Sequence, residues 1–367
     1  MTAHLFSPIT LGSLEFPNRI AIAPMCQYSA DDGSATDWHI QQWMTYAMTG
    51  AGMVTVEMTD VERRGRISHG CLGLYSDANE AAAKRALDAA KRVAVPGTKF
   101  GTQLAHAGRK ASNQRPWEGG GPLQPHQDPW QVVSASAIPF AEGWQTPRAL
   151  TEDEIHQLIG HFVKAAQRAE RVGFDFIELH GAHGYLLNQF LSPLSNHRTD
   201  QWGGSLENRM RLIVDIAKAV RGAVPNLMLG ARLSVTEWVD GGLTVEESVS
   251  VARALKDAGV SYICCSSGGN SPLQKIPTGP GYQVHLAEAV SRGAGIPTRA
   301  VGIIDQPLQA EEIVAGGRSE MVAIGRAFLA DPRWVWRAAA ALGHDIKAAP
   351  QFARSTDLVK RWVKAAQ

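Results

Sequence analysis

The sequence predicts an α/β fold, a (β/α)8 TIM barrel with one excursion after its third strand. Three observations predict it. Eight apolar, β-rich runs alternate with segments of helical periodicity, so consecutive strands run parallel and each is reached by a crossover. Eight is also the number of parallel strands that closes into a barrel filled by its own side chains. The competing fold, a doubly wound open sheet, opens with a Gly-x-Gly-x-x-Gly turn after strand one. Here Ile20-Ala-Ile-Ala-Pro-Met-Cys26 ends in Pro24 and Cys26 instead.

Taken in order, strands are expected at residues 19–25, 53–59, 99–105, 174–179, 227–233, 262–266, 298–302 and 321–324. Helices are expected at 79–92, 152–172, 206–224, 245–258, 282–292 and 307–315. In the second of these, Ile155, Leu158, Ile159, Phe162 and Ala166 recur at three- and four-residue steps and share one face. Thr151 with Glu154 forms a capping-box pattern at its start. Segment 110–148 follows neither period and is rich in Gly, Pro, Gln and Trp, which marks the excursion. Residues 1–342 read as one barrel domain, and the weakly patterned residues 343–367 as a C-terminal tail.

Composition narrows the function classes. With 367 residues and 44% hydrophobic content the chain can bury a sizeable core. Lys and Arg number 36 against 35 Asp and Glu, a formal charge of +1, so no basic footprint for nucleic acid is present. No basic run marks an anionic membrane surface, and the apolar runs fall short of the about 18 residues a membrane span needs. The first residues lack a basic region followed by an apolar core, so no signal peptide is expected. Four cysteines, with Cys264 and Cys265 adjacent, make neither a disulfide framework nor a zinc ligand set. A cytoplasmic protein with reduced thiols is the expectation.

The chemistry-bearing side chains gather at predicted strand exits, which share one mouth in such a barrel. Cys26 and Tyr28 follow strand one. Gln103 and His106 lie late in strand three, and Arg232 late in strand five. His180, His183 and Tyr185 follow strand four, where two imidazoles can donate to an anionic oxygen and a phenol can lend a proton. Gly302 and the pair Gly325-Arg326 follow strands seven and eight, where backbone N–H groups beside an Arg suit a phosphate. Each feature also has a plainer reading. The two histidines could be metal ligands or core residues, but no third ligand stands in their segment, and Glu178 is placed in another layer or face of the barrel. The glycines could simply turn the chain. Cys26 could be an inert buried thiol. Cys264 and Cys265 read as packing residues, Trp117, Trp130, Trp144 and Trp202 as packing anchors under loops, and Arg63-Arg64-Gly-Arg66 as a solvated loop.

Several longer segments carry a specific resemblance. They are Asn18-Arg-Ile-Ala-Ile-Ala-Pro-Met-Cys-Gln-Tyr28, Gln103-Leu-Ala-His-Ala-Gly-Arg-Lys110 and Glu178-Leu-His-Gly-Ala-His-Gly-Tyr185. With them stand Asn188-Gln-Phe-Leu-Ser-Pro-Leu-Ser-Asn-His-Arg-Thr-Asp200, Gly203-Gly-Ser-Leu-Glu-Asn-Arg209 and Ala323-Ile-Gly-Arg326. The chain resembles the old yellow enzymes, FMN-dependent ene reductases, and among them the bacterial thermophilic-type and xenobiotic reductase-like subclass. The resemblance runs from about Leu5 to Arg354.

The resemblance implies non-covalent FMN at the strand ends. Ala23, Pro24, Met25 and Cys26 would lie along the flavin ring, with the Cys26 thiol tuning its potential. Gln103 would bond its pyrimidine edge, Arg232 would stabilise the anionic reduced form, and Gly302, Gly325 and Arg326 would hold the phosphate. His180 and His183 would grip the substrate oxygen, Tyr28 would help position it, and Tyr185 would protonate the α-carbon. NADPH, or less favourably NADH, would reduce the flavin and leave. An α,β-unsaturated ketone or aldehyde, a maleimide or a nitroalkene would then take up hydride at its β-carbon. Arg354 resembles a C-terminal Arg that reaches a neighbouring subunit's site, implying a homo-oligomer with the tail at the interface.

Two positions depart from the pattern: Met58 stands where relatives carry a small Ala beside the flavin, and Val301 where some carry a Trp. Two alternatives remain beside the ene reductase. One is another FMN barrel reductase, for which the chain lacks an iron–sulfur cysteine cluster and a further nucleotide-binding domain. The other is a flavin-binding redox sensor acting through Cys26.

Overall fold

Eight parallel strands close on themselves in the computed structural model, which describes residues 3–366. They are β1 (Ile20–Ile22), β2 (Met53–Asp60), β3 (Lys99–Ala105), β4 (Phe176–Gly181), β5 (Met228–Ser234), β6 (Tyr262–Ser266), β7 (Thr298–Ala300) and β8 (Met321–Ile324). Strand β8 pairs with β1 through Val322 and Ile20, Ala323 and Ala21, and Ile324 and Ile22, and this pairing shuts the barrel. The helices after these strands are Asp37–Ala47, Asp77–Val93, Glu152–Val172, Leu206–Ala223, Val245–Asp257, Val284–Ala294, Pro307–Ala315 and Trp334–Ala341. This is the expected (β/α)8 barrel.

Its core has two parts because each strand has two buried faces. Outward residues such as Val54, Val56, Phe100, Ile177 and Leu229 pack on the helices. Inward residues, among them Met53, Phe176, Met228, Tyr262 and Met321, fill the interior. An N-terminal hairpin, Ile9–Leu11 against Leu14–Phe16, closes the barrel below with Leu11 and Phe16.

The boundaries differ from expectation in instructive places. Strand β4 begins and ends two residues later than its apolar run, because pairing with β5 continues through Arg232–His180 and Leu233–Gly181. His180 therefore lies inside a strand, not after it. Strands β1 and β7 are shorter than expected; Pro24 has no N–H to give a ladder, and Gly302 turns to φ 124°. Helix Asp37–Ala47 escaped the pattern because its buried face includes His39 and Gln42.

The excursion consists of short 3-10 turns, including Pro116–Glu118 and Pro125–Gln127, and a small pairing of Val133–Ser134 with Arg148–Ala149. It leans on the barrel mouth, where Arg115 Nε donates to the Tyr28 carbonyl at 3.0 Å. Arg66 is not in a solvated loop: it is buried, bonds Asp32 at 2.8 Å and lies over the Trp130 ring at 5.3 Å. The tail carries a turn, Pro350–Ser355, whose Phe352 packs on Trp336 at 5.5 Å, and then an amphipathic helix, Thr356–Ala366. No helix among the described residues is long and apolar enough to cross a membrane.

Candidate active site

The strand ends converge as the topology requires, and the loop Gly181–Tyr185 shows how tightly. His183 adopts φ 59° and Gly184 φ 71°, and a Cβ on Gly184 would meet the Gly269 carbonyl at 2.3 Å. Lys110 Nζ clamps this loop, donating to the carbonyls of His183 and Gly269 at 2.9 Å each. Burial, with Arg109 alongside, pulls the Lys110 ammonium down to about 8. Arg109 makes a parallel clamp to Asn270, at 2.7 Å to its carbonyl and 3.0 Å to its side chain. Neither residue stood out in the sequence as a site residue. Their position next to each other at the exit of β3 was the available signal.

The result is three rings packed edge to face. His180 and His183 lie 5.1 Å apart between centroids at 83°, and His180 and Tyr185 lie 4.9 Å apart at 89°. Ala182 N–H donates to His180 Nδ1 at 3.2 Å, so the ring proton sits on Nε2 and is free to be donated. His183 Nε2 bonds the Ser266 hydroxyl at 2.6 Å. When Ser266 donates to Nε2, the single N–H proton of this ring is on Nδ1, which no protein acceptor within the described residues occupies. Burial, and then the Arg232 charge, push both imidazoles well below the usual histidine range, so they are neutral single donors. Burial followed by the Cys26 thiol holds the Tyr185 hydroxyl well above its usual value, so its proton stays in place. No group of three His, Cys, Asp or Glu side chains among the described residues is arranged to hold a metal ion.

Beside this trio a cavity of about 670 Å³ runs from His183 and Arg232 past Ala23–Met25 to Gly302, Gly325 and Arg326. Its size lies within the usual range for a small-molecule site. Gly302 is needed there: a Cβ would meet Gln283 Nε2 at 2.8 Å and strain a φ of 124°. Arg232 is buried, faces the cavity and leaves its Nε without a partner. A buried guanidinium without an anion is costly, so this cavity suits an anionic or electron-rich ring edge. Non-glycine residues in the left-handed region, Tyr28 at φ 52°, His183 at 59° and Ile303 at 51°, follow three separate strands around the mouth. Such strain costs about 1–3 kcal/mol each and collects at functional sites.

The remaining candidates gather on the opposite wall. Cys26, Tyr28 and Tyr185 pack with Met58, Ile67 and Cys71. Met58 faces inward because β2 carries a bulge between Val56 and Met58. Burial, with Cys71 adding to it, holds the Cys26 thiol well above its ordinary value, so it is a thiol and not a thiolate. Gln103 lies on β3 with its Nε2 bonded to Glu178 at 2.8 Å. Glu178 occupies the barrel interior one layer below His180. Arg354 stands apart from this mouth: it is exposed on the outside of the barrel.

Residues 4–345 match the family described as NADH:flavin oxidoreductase / NADH oxidase. An NADPH dehydrogenase of a Geobacillus species is 43% identical over 356 residues, covering 96% of this chain and 99% of that protein. Morphinone reductase superposes with a TM-score of 0.76 at 29% identity, over 96% of this chain and 93% of that one. A 2-naphthoyl-CoA reductase superposes with a TM-score of 0.83 at 27% identity, yet this chain covers 54% of that longer protein. The chain belongs to the NADH:flavin oxidoreductase / NADH oxidase family and is an FMN-dependent, nicotinamide-using oxidoreductase of the old yellow enzyme type.

Proposed function

We propose that this oxidoreductase reduces the C=C bond of activated alkenes: α,β-unsaturated ketones and aldehydes, maleimides and nitro compounds. The observation that carries the proposal is the orthogonal His180–His183 pair of neutral imidazoles, with a free proton on His180 Nε2. Two such donors fit one carbonyl or nitro oxygen and strengthen as charge builds there. Bound FMN would supply hydride, drawn from NADPH or less readily from NADH. The chain would hold it through the backbone of Ala23–Cys26, the Gln103 amide and the unpaired Arg232, with Gly302, Gly325 and Arg326 at its phosphate. Tyr28 would hold the alkene in place, and Tyr185 would keep a proton at its hydroxyl for the α-carbon. The high-pKa Cys26 thiol weighs against a sensor built on thiolate chemistry and favours a role beside the ring. Residues 1–342 would form the catalytic barrel. The 343–367 tail would meet a second copy in a homo-oligomer, with Arg354 reaching that copy's site; sedimentation as a monomer would remove that role.

The deciding experiment is anaerobic. NADPH should bleach the yellow protein, and cyclohexenone or a maleimide should restore its colour. His180→Ala should keep FMN, lose affinity for phenols that mimic the enolate oxygen, and slow alkene turnover about 10²-fold. Phenol affinity unchanged in both His180→Ala and His183→Ala, or wild-type holoenzyme inert toward every activated alkene, would sink the proposal.

A further inference from the structure

Beneath the mouth lies a polar group that the proposed chemistry leaves without a task. Glu178 and Arg299 are both fully buried inside the barrel and form an ion pair. Tyr262 donates its hydroxyl to Glu178 Oε2 at 2.9 Å, and Arg299 donates to the same oxygen. Arg299 is itself held by Thr55 Oγ1 at 3.1 Å and lies over the Tyr262 ring at 5.1 Å. Burial pulls the guanidinium down, but the Glu178 carboxylate outweighs it and raises Arg299 above its ordinary value. The other carboxylate oxygen, Oε1, accepts from Gln103 Nε2 at 2.8 Å.

This arrangement settles which end of the Gln103 amide points where. With three donors directed at it, Glu178 is a carboxylate and can only accept. The group of Gln103 that faces it must be the NH2, and this leaves the carbonyl as the group offered upward. No donor within the described residues reaches that oxygen. We infer that Glu178 is a positioning residue that fixes the polarity of Gln103, so that the side chain presents an acceptor to the imide N–H of the flavin's pyrimidine edge. The inference rests on the FMN reading above and deepens it. Arg299 and Tyr262 keep Glu178 charged and in place. Gln103 then selects a ring edge that carries an N–H donor.

The inference makes a polarity-reversal test possible. In Glu178→Gln the donors Arg299 and Tyr262 hold the new carbonyl, so the new NH2 faces Gln103. Gln103 must then turn its own carbonyl inward and its NH2 outward, placing donor against donor at the flavin edge. The full chain, stripped of flavin, is titrated with FMN by fluorescence quenching, and the imide N–H resonance of ¹⁵N-labelled FMN is followed. Glu178→Gln should weaken FMN binding about tenfold or more and shift that resonance upfield, as an unbonded N–H does. The swapped pair, Glu178→Gln with Gln103→Glu, restores an outward acceptor and should recover both affinity and shift. If Glu178→Gln does not fold, the swapped pair, which keeps one carboxylate in the frame, is compared directly with wild type, and weak FMN binding by it would overturn the inference.

Wild-type affinity and resonance in Glu178→Gln, or a swapped pair no better than the single variant, would overturn the inference while leaving the FMN reading intact. A wild-type chain that binds no FMN would overturn both.

Discussion

Of the carboxylates buried in this barrel, Glu178 in the floor and Asp60 in the wall live in opposite ways. Glu178 in the floor has each oxygen occupied, by Gln103 on one side and by Tyr262 and Arg299 on the other. Asp60 in the wall, at the end of β2, is equally buried, yet both its oxygens lack any partner. Burial raises the Asp60 carboxyl well above the carboxylate range, Arg66 draws it back only in part, and Glu62 and Glu57 push it up further. Burial alone therefore does not decide the charge of an acid; the donors aimed at it do. The floor keeps a charged, fixed frame under Gln103. The wall keeps a neutral acid beside the apolar pocket of Cys26, Cys71 and Tyr185.

The largest effect should come from breaking the floor. Arg299→Met removes the guanidinium and strands the Glu178 charge, which should cost about 3–5 kcal/mol of unfolding free energy. Urea unfolding at pH 7 measures it. Adding Glu178→Gln to that variant should recover most of the loss, because neutral groups of similar shape replace the pair. A single variant as stable as wild type would mean that Glu178 is not held as an ion.

The wall should respond with the opposite sign. Asp60 has a folded-state pKa above its unfolded value. Its stabilising contribution is thus complete below the unfolded pKa, near pH 4, and is lost as pH rises toward the folded one. Asp60→Asn removes this titration. It should match wild type near pH 4 and exceed it by about 1–3 kcal/mol at pH 8. Urea midpoints of both proteins across that range test it, and a difference independent of pH would show that Asp60 is ionised throughout.

The same contrast marks what was legible in the sequence. The eight strands were, because a barrel strand is buried on both faces and reads as a continuous apolar run. The mouth residues were, since Gln103, His180 and Arg232 lie late in their strands and His183 just past one, positions that the closed barrel brings to one end. The partners that set their chemistry were not. Ser266, which bonds His183 Nε2, and Lys110, which clamps its loop, are distant in sequence and carry no periodic signal. Arg299 lies in an apolar strand pattern, and only closure of the barrel brings it to Glu178, 121 residues away. Asp60 faces inward through the bulge at Glu57, which period-two counting along β2 does not reveal.

The smallest effect isolates a single bond in the floor. Tyr262→Phe deletes the hydroxyl that donates to Glu178 Oε2 but keeps the ring on which Arg299 rests. Glu178 retains Arg299 and Gln103, so its charge survives with one donor fewer. A hydrogen bond to a charged group contributes about 1.5–3 kcal/mol, and the retained partners put this loss at the lower end, about 1.5 kcal/mol. Urea unfolding at pH 7 measures this as well. A loss as large as that of Arg299→Met would mean that the two donors act as one unit, with neither able to hold the carboxylate alone. A loss near zero would assign the whole frame to the ion pair. Only the intermediate value fits a floor in which each donor adds its own share and Asp60, two strands away on β2, has none.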